Sequence, residues 1–477
     1  MKENTGSKKT LYKRHLPITT IACSALMLGA CSPHFINLEP QPPVTEMDSF
    51  PSASQPGSIK KDNAWWESFN RPTLSKIIEQ SLTSNLTVTQ ALARVRQAQA
   101  LATETRSDIF PQVNLEGETS NSWQENNAQR SNSGIGGALS WEIDIFNRIG
   151  MSTKADELLA EARLEDVRAL RLSLSAEVAN AYFGAVSAQR RLTLLNEQVA
   201  TDQELLTLLE LRYDNGVGTN VEVLQQQSRV ADSKSLIPVA EGDLHIFENR
   251  LDVLLGAMPD GTNRVPAEET LEFTKTLPPV GVPADLLVNR PDLRAAKAEL
   301  IAADADIAAA IAERLPRITL DGSYVYADGA AFTGPVAMIM GSFVQPLLDW
   351  GKRKAAVERN EALYEEQLAA FGQLYLEAVE DVESALTQEK SQREFVKRLE
   401  ERREILNNTV NETEARYRQG VDDYLPVLNA LQELRLVERT LIAERLTLIN
   451  SRIALHRATG GVIINPYNNN IVQEQEK

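Results

Sequence analysis

Two short stretches carry the residue types that could act together. They are Arg212-Tyr213-Asp214-Asn215-Gly216-Val217-Gly218 and Arg416-Tyr417-Arg418-Gln419-Gly420-Val421, the second followed by Asp422 and Asp423. The chemistry open to them is non-covalent. An arginine facing a carboxylate forms forked, charge-assisted hydrogen bonds that add geometry to attraction. Glycine near a helix end permits the left-handed conformation that stops the helix. Gly216, Val217, Gly218, Gly420 and Val421 therefore read as two sharp turns that expose small and apolar groups.

The rest of the chain offers no reactive set. Its carboxylates lie on helix faces beside lysines and arginines, the ordinary pattern of a solvated helix surface. There is no glycine-rich phosphate loop after a strand and no Ser/His/Asp arrangement. The four histidines, His15, His34, His245 and His456, are scattered without metal-ligand spacing. Cys23 and Cys31 both precede the folded region, which leaves no cysteine for a disulfide or metal site in the body. No enzyme, metal site or cofactor is expected, and any energy must come from a partner. A net charge of −17 argues against nucleic acid, whose phosphates need a basic surface.

The elements that position the two stretches are themselves repeated. The offset of 204 residues that joins Arg212 to Arg416 also joins Leu172 to Leu376, Val178 to Val382, Ala181 to Ala385, Val223 to Val427 and Gly256 to Gly460. The chain is thus a tandem duplication of one helical hairpin. The first repeat spans residues 64–256. It opens on Trp65-Trp66…Phe69, runs as a helix from about Leu74 to Asp108, and stops at Pro111. Val113 and Leu115 against Asn114 and Glu116, then Leu139, Trp141 and Ile143 against Ser140 and Glu142, alternate with the period of strands, within about 111–146. A polar loop from Ser120 to Ser133 separates them. From Asn147 to Tyr213 the apolar residues keep steps of three and four with no proline, a helix of roughly 100 Å at ~1.5 Å per residue. The turn at about 213–219 leads to a returning helix from about Asn220 to Leu255. An insert at 257–283 follows, and the second repeat occupies 284–461. It has a helix to about Arg314, strands within about 316–346, a loop through Gly329 and Gly334, a long helix to Tyr417, a turn at about 417–423, and a last helix to Gly460.

Residues 1–30 read as a secretory signal, with Lys8, Lys9, Lys13 and Arg14 ahead of a short apolar run. Leu28-Gly29-Ala30-Cys31 resembles the bacterial lipobox, which implies acylation of Cys31 and a lipid anchor. The Pro- and Ser-rich segment 31–63 is then a tether, and 462–477 is a polar tail. No later run approaches the ~20 apolar residues of a transmembrane helix. A membrane crossing must therefore use strands. Four strands leave edges that hydrocarbon does not tolerate, and the smallest bacterial barrels need about eight. Three chains supply twelve. The expected architecture is a mixed α and β membrane protein. A trimeric 12-stranded outer-membrane β-barrel, four strands per chain, continues into a long periplasmic α-helical barrel.

Taken in order, Trp65-Trp66…Phe69, Leu254-Leu255-Gly256, Arg290-Pro291-Asp292, Ala305-Asp306-Ile307, Gln345-Pro346-Leu347 and Arg416-Tyr417…Gly420 resemble the TolC-like outer membrane factors. The likeness is nearest to the lipid-anchored OprM/NodT-type branch. That resemblance covers nearly the whole mature chain. It implies a passive homotrimeric exit duct for drugs or other small toxic compounds, set among outer-membrane lipids. Its helical tips would dock on a periplasmic adaptor and an inner-membrane pump, commonly of the resistance-nodulation-division (RND) type. By the same resemblance Gly216, Val217, Gly218, Gly420 and Val421 meet the adaptor, and Arg416, Tyr417, Asp422 and Asp423 hold the periplasmic entrance shut. Where the branch has Leu-Asp-Ala this chain has Leu428-Asn429-Ala430, so Asn429 stands where a carboxylate ring is expected. Asp422 and Asp423 keep two readings, cation-favouring rings at the mouth or helix N-caps. Two alternatives remain at this stage: a type I secretion duct for peptides and proteins, and a periplasmic coiled-coil scaffold lipoprotein without a pore.

Overall fold

The structure is a computed structural model that describes residues 33–45, 47–53, 64–123, 129–273, 276–278, 280–329 and 332–461. The signal segment, Cys31, part of the tether and the tail 462–477 lie outside the described residues. In chain order the elements are α1 (Pro72–Ser84), α2 (Leu86–Ser107), β1 (Gln112–Trp123), β2 (Gln129–Glu142), α3 (Arg148–Asp214), α4 (Asn220–Ser235) and α5 (Ile237–Leu254). They continue with α6 (Leu286–Asn289), α7 (Pro291–Ala312), β3 (Arg317–Gly329), β4 (Thr333–Val344), α8 (Lys352–Arg418) and α9 (Tyr424–Ala458). Helices α3 and α8 are each 67 residues long. No described helix is long and apolar enough to cross a membrane.

One compact unit gathers residues 98–159 and 300–366 with the described part of 1–40. Its sheet is a four-stranded antiparallel meander in the order β1-β2-β3-β4. The two repeats meet in it at β2 and β3, where Trp141 stands opposite Leu320 and Ile135 opposite Tyr326. Apolar side chains stand exposed on the two outer strands: Val113 and Leu115 on β1, Ile339 and Phe343 on β4. The outer edges of β1 and β4 have no partner strand among the described residues. The strands run further than the side-chain alternation indicates. Thr119 pairs with Ser133 and Asn121 with Ser131, inside the expected polar loop. Gly329 ends β3 and Gly334 lies in β4, where a loop is expected. Ladder hydrogen bonds join backbone groups, so Ser-, Asn- and Gly-rich segments can extend them without an apolar face. Beside the sheet, Ala155 and Leu158 of α3 pack on Ile301, Ala302 and Ala305 of α7. The N-terminal segment is stitched to α7 by Asp304, which takes the Asn37 amide at 2.7 Å and the His34 ring at 2.6 Å.

The other unit gathers the described part of 41–97 with 160–299 and 367–461. Its core is built on Trp65, Trp66 and Phe69 against Tyr182, Phe183, Leu251 and Ile453. Three helices expected to be continuous are each broken, for reasons that are local. At Asn85, between α1 and α2, the side-chain amide turns aside to donate to the Leu254 carbonyl at 2.9 Å. Pro238 lacks an N–H and crowds the preceding turn, which breaks the returning helix at Leu236. Arg290 precedes Pro291 and is extended, with ψ of 120°. The insert is held by arginines that donate to its carbonyls: Arg71 to Glu272 at 2.8 Å, Arg190 to Glu268 at 2.7 Å and Arg452 to Thr276 at 2.6 Å. Backbone acceptors suffice for this, so the insert needs no secondary structure of its own.

Candidate functional site: the two helical tips

Each long helix stops by the same backbone device. Gly216 has φ of +72° and Gly420 has φ of +74°. The Gly216 amide donates to the Tyr213 carbonyl and the Val217 amide to that of Arg212, both at 2.9 Å. Gly420 and Val421 repeat this on Tyr417 and Arg416, both at 3.0 Å. Two of the last carbonyls of each helix are thereby satisfied, the pattern that ends a helix on a left-handed glycine. Beside both glycines there is open space where a Cβ would stand. Val217 and Val421 are exposed next to them.

Beyond this shared frame the tips differ. Asp422 stands 204 residues after Gly218, so only the second tip has a carboxylate there. Arg416 grips it with a fork, Nε to Oδ2 at 2.5 Å and Nη2 to Oδ1 at 3.1 Å. The pair holds the Asp422 carboxyl below the ordinary aspartate range and raises the Arg416 guanidinium. Arg212 has no such carboxylate at Gly218, and its guanidinium lies over the Tyr417 ring, 4.8 Å from the centroid. Tyr417 is accordingly 6% exposed, whereas its counterpart Tyr213 is 47% exposed.

The starts of the returning helices diverge as well. Thr219 caps α4 in a reciprocal box: its hydroxyl accepts the Glu222 amide at 3.3 Å, and Glu222 accepts the Thr219 amide at 2.8 Å. Asp423 occupies the same place before α9 but its side chain makes no cap hydrogen bond. The residue three further on is Pro426, which has no N–H to offer. Asp423 and Asn429 are both exposed. The structure thus brings Arg416 and Asp422 together and leaves Asp423 and Asn429 apart from that pair. Tyr417 joins no hydrogen bond of the cluster. Its hydroxyl is buried without a partner among the described residues, and burial raises its pKa.

Behind Tyr417 lies a buried polar chain. The ring of Tyr424 packs 5.5 Å from that of Tyr417, and its hydroxyl donates to Gln226 Oε1 at 2.7 Å. Gln226 donates to Asp202, at 2.8 Å to the carbonyl and 3.2 Å to Oδ1. The Ser233 hydroxyl donates to Oδ2 of Asp202 at 2.8 Å, and Arg435 pairs with its Oδ1. Three helices, α3, α4 and α9, meet on one carboxylate. Reading the sequence for repeated turns misses these residues. A signal exists: Leu195, Asp202 and Leu209 recur every seventh residue of α3 and are all buried, so an acid occupies a core position between two leucines. Among the described residues no group of His, Cys, Asp and Glu could hold a metal ion.

This duplicated frame of sheet and hairpins matches a known family model, that of the outer membrane efflux proteins, over residues 77–257 and 282–461. The chain belongs to the outer membrane efflux protein family. The two matched segments of this efflux channel correspond to its two repeats, and the interval between them falls in the insert. It is 29% identical over 470 residues to OpmQ, a pyoverdine export outer membrane protein of Pseudomonas putida, covering 94% of this chain and 97% of that one. Nodulation protein T of Rhizobium leguminosarum bv. trifolii is 27% identical over 390 residues, covering 79% and 83%. Among solved structures, the outer-membrane channel OprN superposes with a TM-score of 0.82 at 27% identity, over 90% of this chain and 99% of that one. The channel MtrE of Neisseria gonorrhoeae shares the fold, with a TM-score of 0.81 at 24% identity over 90% and 98%. This efflux channel resides in the outer membrane, and the relatives are ducts rather than enzymes.

Proposed function

We propose that the protein is the passive exit duct of a tripartite efflux pump. In this reading three copies close their four-stranded sheets into one twelve-stranded barrel. The observation that carries it is the sheet itself, whose outer strands bear exposed Val113, Leu115, Ile339 and Phe343 and whose two edges lack a partner strand. In hydrocarbon such edges must be paired, and a cyclic arrangement of copies pairs each β1 with a neighbour's β4. Acylated Cys31 anchors the chain to the outer membrane.

The helical tips enter the periplasm and meet an adaptor, which couples the duct to an energised inner-membrane pump. Gly216 and Gly420 keep the tip backbone bare for that contact. The Arg416–Asp422 fork stiffens the second tip, and the Arg212–Tyr417 stack joins it to the first; together they favour the narrow state of the entrance. The cargo is small. The relatives' printed names, among them a pyoverdine exporter and a toluene efflux protein of Pseudomonas putida, support that class.

The test pairs reconstitution with export. Purified protein is expected to run as detergent-resistant trimers and to conduct ions in planar bilayers. A deletion strain should accumulate dyes and antibiotics, and wild type should restore export while Gly420→Glu does not. Monomers without conductance, or export restored equally by the Gly420→Glu variant, would refute the duct or its tip contact respectively.

A further inference from the structure

A cleft of about 460 Å³ runs between α4 and α9, lined by Arg229 and Asp232 on one side and Gln432, Arg435 and Arg439 on the other. These lining residues recur at steps of three and four, so the cleft follows the two helices for about two turns. It begins to collect arginines 11 residues into α9, roughly 16 Å along that helix at 1.5 Å per residue. Three guanidinium groups face it, against one exposed carboxylate, Asp232, among its described lining residues.

The three arginines are not equally committed. Arg435 is paired with Asp202, whose remaining oxygen capacity goes to Ser233 and Gln226. Arg229 keeps a buried Nε with no hydrogen-bond partner among the described residues. Arg439 reaches Gln198 Oε1 at a long 3.4 Å. Burial, and then the charge of Arg435, lowers the pKa of Arg229; Arg439 is lowered first by burial as well. Two partly desolvated cations thus border an open groove on a chain whose net charge is −17. A structural role alone would be met by one arginine paired with Asp202.

We propose that this cleft is a docking groove for an acidic helix of the periplasmic partner, whose carboxylates at a four-residue spacing pair with Arg229 and Arg439. The groove is straight, bounded by two helices and polar at its rim, which suits a third helix rather than a compact small molecule. Planar guanidinium groups bind carboxylates by forked hydrogen bonds, and Arg435 and Arg439 stand one turn apart, the repeat of glutamates on one helix face. The proposal rests on the reading that a periplasmic protein engages the hairpins.

Two measurements on the full-length protein test it. The first follows a fluorescent, helix-stabilised peptide with glutamates four residues apart, beside the same peptide carrying glutamines. Wild type is expected to bind the glutamate peptide, and loss of two charge-assisted pairs in Arg229→Gln/Arg439→Gln should weaken it by about tenfold or more. Equal binding by the variant, or by the glutamine peptide, overturns the groove. Displacement of the peptide by free glutarate at similar concentration also overturns it, in favour of a small-anion site. The second measures dye export and bilayer conductance of Arg229→Glu/Arg439→Glu. Lost export with wild-type conductance supports the groove, and normal export overturns it. If wild type itself neither conducts nor exports, the duct reading fails, and the peptide experiment still decides the groove.

Discussion

Arg212 of the first repeat lies 4.8 Å above the ring of Tyr417 in the second, and so ties the two tips together without a hydrogen bond. A stacked guanidinium of this kind is worth about 0.5–2 kcal/mol, depending on its exposure. The tyrosine hydroxyl takes no part. Tyr417→Phe should therefore leave single-channel conductance and vancomycin sensitivity at wild-type levels, while Tyr417→Ala or Arg212→Ala raises both. An open phenotype in the Tyr417→Phe variant would place the hydroxyl, rather than the ring, at the centre of tip closure.

The Arg416–Asp422 fork makes a different demand. Because Arg416 depresses the Asp422 pKa, the contribution of the pair is complete above the ordinary aspartate value of about 3.9 and is lost as pH falls through the lower folded value. Conductance of the wild-type channel is expected to be flat from neutral pH to about 5 and to rise only below about 4. Arg416→Ser should abolish that rise by opening the entrance at every pH. Both residues are exposed, so concentrated salt should narrow the difference between variant and wild type. Bilayer recordings across pH and salt decide it.

Asp202 is a buried hub, and removing one partner of a buried pair commonly costs 3–5 kcal/mol because the other charge is left unpaired. Asp202→Leu alone should lower the thermal midpoint of the assembled protein. Adding Arg435→Met, which completes an apolar position between Leu195 and Leu209, should restore most of the loss. A double variant no better than the single one would show that Gln226 and Ser233, rather than the ion pair, need Asp202.

Gly136 in β2 sits against β3 so closely that a Cβ would lie 2.2 Å from the Tyr324 carbonyl oxygen and 2.4 Å from Val325 Cα. Backbone cannot yield there. Gly136→Val is expected to prevent assembly into heat-modifiable trimers, whereas Gly341→Val in β4, where nothing lies within 4 Å, should assemble. Assembly of both would mean that the sheet can part at the junction of the two repeats.

Much of this molecule is written locally. The offset of 204 residues sets two equal helices of 67 residues and two glycine-ended tips, because helix length and helix stops depend on neighbours in sequence. The alternation of Val113 and Leu115 and the prolines at 111 and 316 place the strand pairs for the same reason. The breaks at Leu236 and Arg290 were also written, in Pro238 and Pro291. Asn85 is another matter, since its turn is chosen by the Leu254 carbonyl, 169 residues away.

What only the tertiary structure decided is how identical motifs acquire different roles. Tyr213 and Tyr417 hold the same place in their repeats, yet one is exposed and the other is covered. The difference arises because Asp422 replaces Gly218 and binds Arg416, while Arg212, lacking that carboxylate, crosses to the neighbouring hairpin. Asp202 likewise becomes a hub only when Gln226, Ser233 and Arg435 converge on it from two other helices. A sequence determines its helices and turns through contacts a few residues apart. Which side chains share a buried charge is settled by packing, because only packing removes the water that would otherwise satisfy each of them alone.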